Sequence, residues 1–189
     1  MRQGLVCHLE NVAELAAQFA TSIGATTLGH YLGLVHDIGK FDQAFQRYLF
    51  ACETEGAAAP ARGPDHKGAG ALLAREHAGL TALLIDGHHG GLRSPVEVEA
   101  WLADRQQDPA VQDAGRRARE TCPAVSVGPP APLPAHVERD ARAAEFFLRL
   151  LFSALVDADF LDTEQHFRPE RGRLRVGSVS LQELWERFE

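Results

Sequence analysis

A chain of 189 residues that is 45% hydrophobic suits one domain with a sizeable core, and no stretch approaches the ~20 uninterrupted apolar residues a membrane span needs. The net charge of −7 argues against a broad nucleic-acid-binding surface, yet it leaves room for a local site whose sign bound divalent cations would reverse. Cys7, Cys52 and Cys122 are odd in number and widely spaced, which reads as reduced thiols of a cytoplasmic protein; Glu10 and Glu14 arrive too early for a secretory signal.

In chain order, residues 9–22 place Val12, Leu15, Ala16 and Phe19 on one helical face. The pattern over 27–50 predicts a helix interrupted or bent near Gly39, and the Pro- and Gly-containing stretch 55–65 predicts a loop. A helix is expected from about Asp65 or His66 to Glu76, and another over 78–87 that ends in the turn GHHGG. Arginine-rich amphipathic helices are expected at 95–106 and 108–121. The stretch 123–136, PAVSVGPPAPLPAH, reads as a proline-rich loop, and the apolar run from about 137 to 162 as a long core helix. The last residues suit a short strand or turn, then a helix capped by Ser178 or Ser180. Without an alternating strand series or an internal repeat, the expected fold is all-α, a single domain over 1–189.

Against this background the histidines and aspartates stand in chosen places. His36 and Asp37 sit together in the apolar stretch LGLVHDIGK, where a buried carboxylate must be paired or metal-bound. His88 and His89 lie between glycines, His66 opens a helix, and His8 lies near the start of the first one. In LVDADFLDTE, Asp157 and Asp159 are two residues apart and point about 200° around a helix, so only one can face a shared site. Taken singly, each histidine reads as readily as a structural or surface group; their joint occurrence is what points to metal. Imidazoles combined with carboxylates suit manganese, iron, cobalt, nickel or zinc better than calcium or magnesium. The tight H-E-x-x-H spacing of a zinc protease is absent, as are a P-loop and a G-x-S-x-G elbow. Only two of the basic residues are lysines: Lys40 follows Asp37 by three positions, and Lys67 follows His66 directly.

The order His, His-Asp, His, His-His, Asp resembles the HD superfamily of metal-dependent phosphohydrolases, an HD-domain helical bundle with a metal site in its core. More narrowly, HLENVAELA, GLVHDIGKFDQAFQRYL, DHKGAGALLA, GHHGGL and LFSALVDADFLDTE resemble the HD nuclease domain of the CRISPR-associated helicase-nuclease of type I systems, over nearly the whole chain. The resemblance implies one metal held by His8, His36, Asp37 and Asp159, with Asp157 as the alternative late ligand. It implies that Asp37 bridges to a second ion held by His66, His88 and His89. Lys40 would contact the scissile phosphate or the groups behind the metal ligands, with His36, Asp37 and Lys40 as the catalytic group. The family activity is hydrolysis of single-stranded DNA, endonucleolytic and then 3′ to 5′, in interference against invading DNA. The implied partners are a helicase domain of the same or a separate chain, to which residues 177–189 would connect, and an RNA-guided surveillance complex.

From the residues themselves, Lys67, Arg47, Arg93, Arg105, Arg116, Arg117 and Arg119 are candidates for guiding a DNA backbone. The alternative enzyme is an HD-type nucleotide phosphohydrolase. A degenerate regulatory module would lack ligands, and none of the seven expected positions is missing.

Overall fold

The computed structural model describes residues 2–55, 63–129, 133–134, 137, 139–175 and 181–189. Among them every regular element is helical and no strand forms, as the pattern of apolar positions predicts. The first helix, α1 (Leu5–Ala20), buries Leu9, Val12, Ala13, Ala16 and Ala20 on one face. Gly24, at φ +68, turns the chain into α2 (Thr26–Val35), which lies against α1. The contact is close because the facing residues are small. A side chain on Gly33 would stand 2.4 Å from Ala13 Cα, so only glycine allows these backbones to meet.

The break after α2 comes one turn earlier than the sequence suggests, and it is sharper than a bend. His36 ends the helix, Asp37 leaves the helical region at φ −119, and Ile38–Phe41 form a 3₁₀ turn. Asp42 then starts a separate helix, α3 (Gln43–Glu55), by accepting a hydrogen bond from Phe45 N at 3.0 Å. His36 and Asp37 thus occupy a helix terminus rather than the interior of a continuous helix.

The helix expected from Asp65 or His66 begins slightly later, as α4 (Gly68–Ala78). Gly79, at φ +58, interrupts the pattern expected over 78–87; a 3₁₀ turn at Gly79–Thr81 precedes α5 (Ala82–Gly87). Ser94 and Glu97 form a reciprocal cap that starts α6 (Pro95–Gln106). Asp108 caps α7 (Pro109–Thr121). Pro123–Ser126, within the proline-rich stretch, form a short 3₁₀ turn.

The long core helix, α8 (Ala141–Phe167), is capped by Asp140 and runs five residues past its expected end. It spans about 40 Å, packs on α1 and α2, and buries Phe147, Leu151, Ala154, Leu155 and Ala158. Each leucine removed from water in this way contributes about 1.5–3 kcal/mol. A short α9 (Pro169–Leu174), started by Pro169, follows where no helix was expected. The terminal helix is α10 (Leu181–Phe188); its expected caps, Ser178 and Ser180, lie outside the described residues. No described helix is long and apolar enough to cross a membrane.

Candidate metal centre

Five separate pieces of chain deliver histidine or aspartate to one point. His8 comes from the first turns of α1, His36 and Asp37 from the end of α2, and His66 from the segment before α4. His88 and His89 follow α5, and Asp159 projects from the middle of α8. Asp157, two residues away on α8, is exposed and belongs to neither donor group.

The donors fall into two groups that share Asp37: His8, His36, Asp37 and Asp159, and Asp37, His66, His88 and His89. Each oxygen of the Asp37 carboxylate faces one group. Asp37 Oδ2 lies 3.6 Å from His8 Nε2 and 3.4 Å from His36 Nε2. Asp37 Oδ1 lies 3.7 Å from His66 Nε2, 3.6 Å from His88 Nε2 and 4.0 Å from His89 Nε2. Asp159 Oδ1 closes the first group at 3.4 Å from His8 Nε2 and 3.7 Å from His36 Nε2. These separations are too long for hydrogen bonds. Donors placed about 2.1 Å from a common ion stand about 3.4 Å apart when arranged tetrahedrally, which the observed edges match or slightly exceed.

The ring orientations fit the same purpose. His36 Nδ1 donates to Gly33 O at 2.7 Å, and His88 Nδ1 donates to Ile85 O at 2.6 Å. A proton fixed on Nδ1 leaves Nε2 as the coordinating atom of each neutral ring. His36 Nε2, His66 Nε2, His88 Nε2 and Asp37 Oδ1 are all buried with no hydrogen-bond partner. Buried polar atoms without partners are costly; convergent donors of this type suit a divalent transition metal.

Charge divides the two groups. Burial would lower the His8 and His36 imidazoles, but the surrounding carboxylates prevail. Asp159, Asp37 and Asp162 raise His8 to about 10, and Asp37 and Asp159 raise His36 to about 9. Burial opposes ionisation of Asp37 as well, yet His36, His8 and His88 hold it well below the ordinary carboxylate range. Asp159 is depressed in the same manner, with His36 and His8 overcoming its burial. In the second group three imidazoles share one carboxylate. Burial, with Lys40 and His88 nearby, lowers His66, and burial together with His88 lowers His89 to about 4. The first group holds protons where a cation would sit; in the second, His66 and His89 are held neutral.

The family description "Cas3, HD domain" matches residues 2–159, most of the chain and every residue of both donor groups. The chain belongs to the Cas3 HD-domain family. A comparison with curated proteins gives no match. Membership makes the chain a CRISPR-associated, metal-dependent nuclease domain of type I systems.

In this Cas3 HD domain a further carboxylate supports the centre. Asp162, three residues after Asp159 and so on the same side of α8, accepts from His8 Nδ1 at 2.6 Å, Gln3 Nε2 at 2.7 Å and Asn11 Nδ2 at 2.8 Å. Sequence reasoning passed over it, although the three-residue spacing was a usable signal. Gly39 brings the two donor groups together: a Cβ there would stand 2.0 Å from His66 O, so the chain after Asp37 touches the chain carrying His66. Asp86, also missed, is buried at the end of α5, just before the His88–His89 turn. It takes two hydrogen bonds from Arg93, at 2.7 and 2.8 Å, and Lys67 Nζ lies 3.3 Å from its Oδ1 and 2.6 Å from its backbone oxygen.

The basic residues singled out from sequence are therefore placed unevenly. Lys40 pairs with Asp37 at the centre itself. Lys67 and Arg93 converge on Asp86, where they brace the ligand-bearing segments. Arg47 is exposed on α3. Arg105 pairs with Asp104, Asp65 and Asp108, Arg116 and Arg117 pair with Asp113, and Arg119 lies 3.7 Å from Glu76. Much of the arginine charge is thus matched by neighbouring carboxylates instead of forming a continuous basic track.

Proposed function

We propose that this domain hydrolyses phosphodiester bonds of single-stranded DNA, as an endonuclease and then from 3′ to 5′, using one or two ions of manganese, nickel, cobalt, iron or zinc. The observation that carries the reading is the Asp37 carboxylate, each of whose oxygens faces its own set of imidazoles. One buried group can in this way serve two adjacent cation positions. Divalent ions there would supply a nucleophilic water near neutral pH and offset charge on the phosphate oxygens.

The protein's own contributions are positional. His8, His36 and Asp159 hold one side and His66, His88 and His89 the other, with rings oriented by Asp162, Gly33 and Ile85. Lys40, already at Asp37 and partly exposed, is placed to swing onto a substrate phosphate. The proposed setting is the cytoplasm, with a helicase domain and an RNA-guided surveillance complex delivering the strand. Residues 177–189 would lead toward the helicase; α10 carries exposed Leu184, Trp185 and Phe188, suited to packing on another domain.

The test is to strip the protein with EDTA, reload it with manganese or nickel, and offer circular single-stranded DNA and, separately, nucleoside mono- and triphosphates. Cleavage of the circle, lost in His36→Ala and Asp37→Ala, supports the reading. Turnover of nucleotides alone replaces it with a nucleotide phosphohydrolase.

A further inference from the structure

Beside the metal centre lies an open cavity of about 600 Å³, formed by the residues before and within α1, the outer face of α3 and the last turn of α8. His8 and Lys40 line it, so the cavity is continuous with the proposed reaction centre. Its volume falls in the range of about 300–1,000 Å³ that small organic groups occupy. The remaining walls differ in character from the metal centre. Leu49, Phe50 and Phe167 all line it, and Phe50 and Phe167 are 55% and 66% exposed. The Arg2 guanidinium lies 4.1 Å from the centroid of the Phe50 ring and pairs with Glu53 one turn along α3. An Arg stacked on an aromatic ring, itself anchored by a carboxylate, makes a flat and partly rigid wall.

We propose that this cavity seats a nucleobase of the strand next to the scissile phosphate, with the Arg2–Phe50 stack as its flat wall and Lys40 toward the backbone. The proposal rests on the phosphodiesterase reading above and adds what that reading leaves open: how the domain favours an unpaired strand. Flat apolar faces beside a phosphate-binding point are the means by which proteins hold single strands without reading sequence, because every base offers a π-face. A base within a duplex is stacked on its neighbours and cannot enter such a cavity. The arrangement thus selects unpaired DNA and tolerates any base.

The test compares two fluorescently labelled octamers, oligothymidine and an abasic strand of the same backbone. Binding is measured by anisotropy on the EDTA-stripped protein so that neither strand is cut. The wild-type protein is expected to bind oligothymidine about 5- to 100-fold more tightly than the abasic strand. Phe50→Ala should bring oligothymidine down toward the abasic value, and Phe50→Trp should restore the preference. Equal binding of both strands by the wild type overturns the proposal. So does a preference that persists in Phe50→Ala, or an equal loss for both strands in that variant. Cleavage is scored separately: base preference without DNA cleavage would refute the nuclease reading and leave the groove, whereas cleavage without base preference would do the reverse.

Discussion

Removing Asp162 should weaken metal binding without removing any metal ligand. Its Oδ2 accepts from His8 Nδ1 at 2.6 Å, and the carboxylate is held by Gln3 and Asn11 on its other edges. Without this acceptor, His8 loses both the group that orients its ring and the charge that makes Nε2 a better donor. A hydrogen bond to a charged group contributes about 1.5–3 kcal/mol, which corresponds to roughly 10- to 150-fold in an equilibrium constant. Partners that orient metal ligands typically account for about 10- to 100-fold in affinity, so the two estimates agree. Asp162→Asn keeps an acceptor and loses only charge; it should fall near the lower end, with Asp162→Ala near the upper. Manganese titration by calorimetry at neutral pH is the assay, with Asp157→Asn on the exposed side of α8 as the control expected to stay within about twofold. Both Asp162 variants should also melt about 3–12 °C lower when metal-free, at about 2–4 °C per kcal/mol for a chain of this size. Unchanged manganese affinity in a folded Asp162→Ala protein would refute the role assigned to this residue.

The metal-free protein should be most stable near pH 6.5. His8 and His36 titrate above their unfolded value, so the stability they contribute is present below about pH 6.5 and is lost as pH rises through 9 to 10. His66 and His89 are displaced the opposite way, so stability falls as pH drops below about 6.5, for His89 through about 4. Melting of EDTA-treated protein across pH 4–10 checks this; a monotonic rise through pH 10 would contradict it. Calorimetry near pH 7.5 in buffers of different ionisation enthalpy should show about two protons released as the first group takes up metal, and release of none would rule out protonated His8 and His36. Gly39→Ala should lower stability by about 1–3 kcal/mol, because its Cβ would meet His66 O. The same variant should bind fewer manganese ions by mass spectrometry than the wild type; unchanged stoichiometry and melting would show that the two segments can part freely.

Much of this architecture was legible from residue order. Val12 and Ala16 are buried on α1 as their spacing suggests, whereas Leu15 is half-buried and Phe19, expected on the same face, is exposed; α6 spans the expected 95–106. The five histidines of the cluster were legible as a set only through their joint occurrence with Asp37 and Asp159, since each alone reads as readily as a structural group. Pattern alone hid the local breaks. Asp42, a capping residue inside an apolar stretch, starts α3 where hydrophobic spacing suggested continuation from α2. Gly79 at positive φ splits a run that reads as one helix, and Pro169 starts α9. Ion pairing was equally hidden: Lys67 and Arg93 read as basic surface, yet Asp86 gathers both from positions far apart in sequence. Asp162 could have been found, since three residues after Asp159 is the same helical face.

The most direct test is a crystal soaked in manganese and measured at an anomalous wavelength. Two peaks about 3.5–4 Å apart, bridged by Asp37 with three imidazoles on one side and His8, His36 and Asp159 on the other, are the expected result. Strong peaks elsewhere on the protein and none beside Asp37 would contradict the assignment of this cluster as the reaction centre.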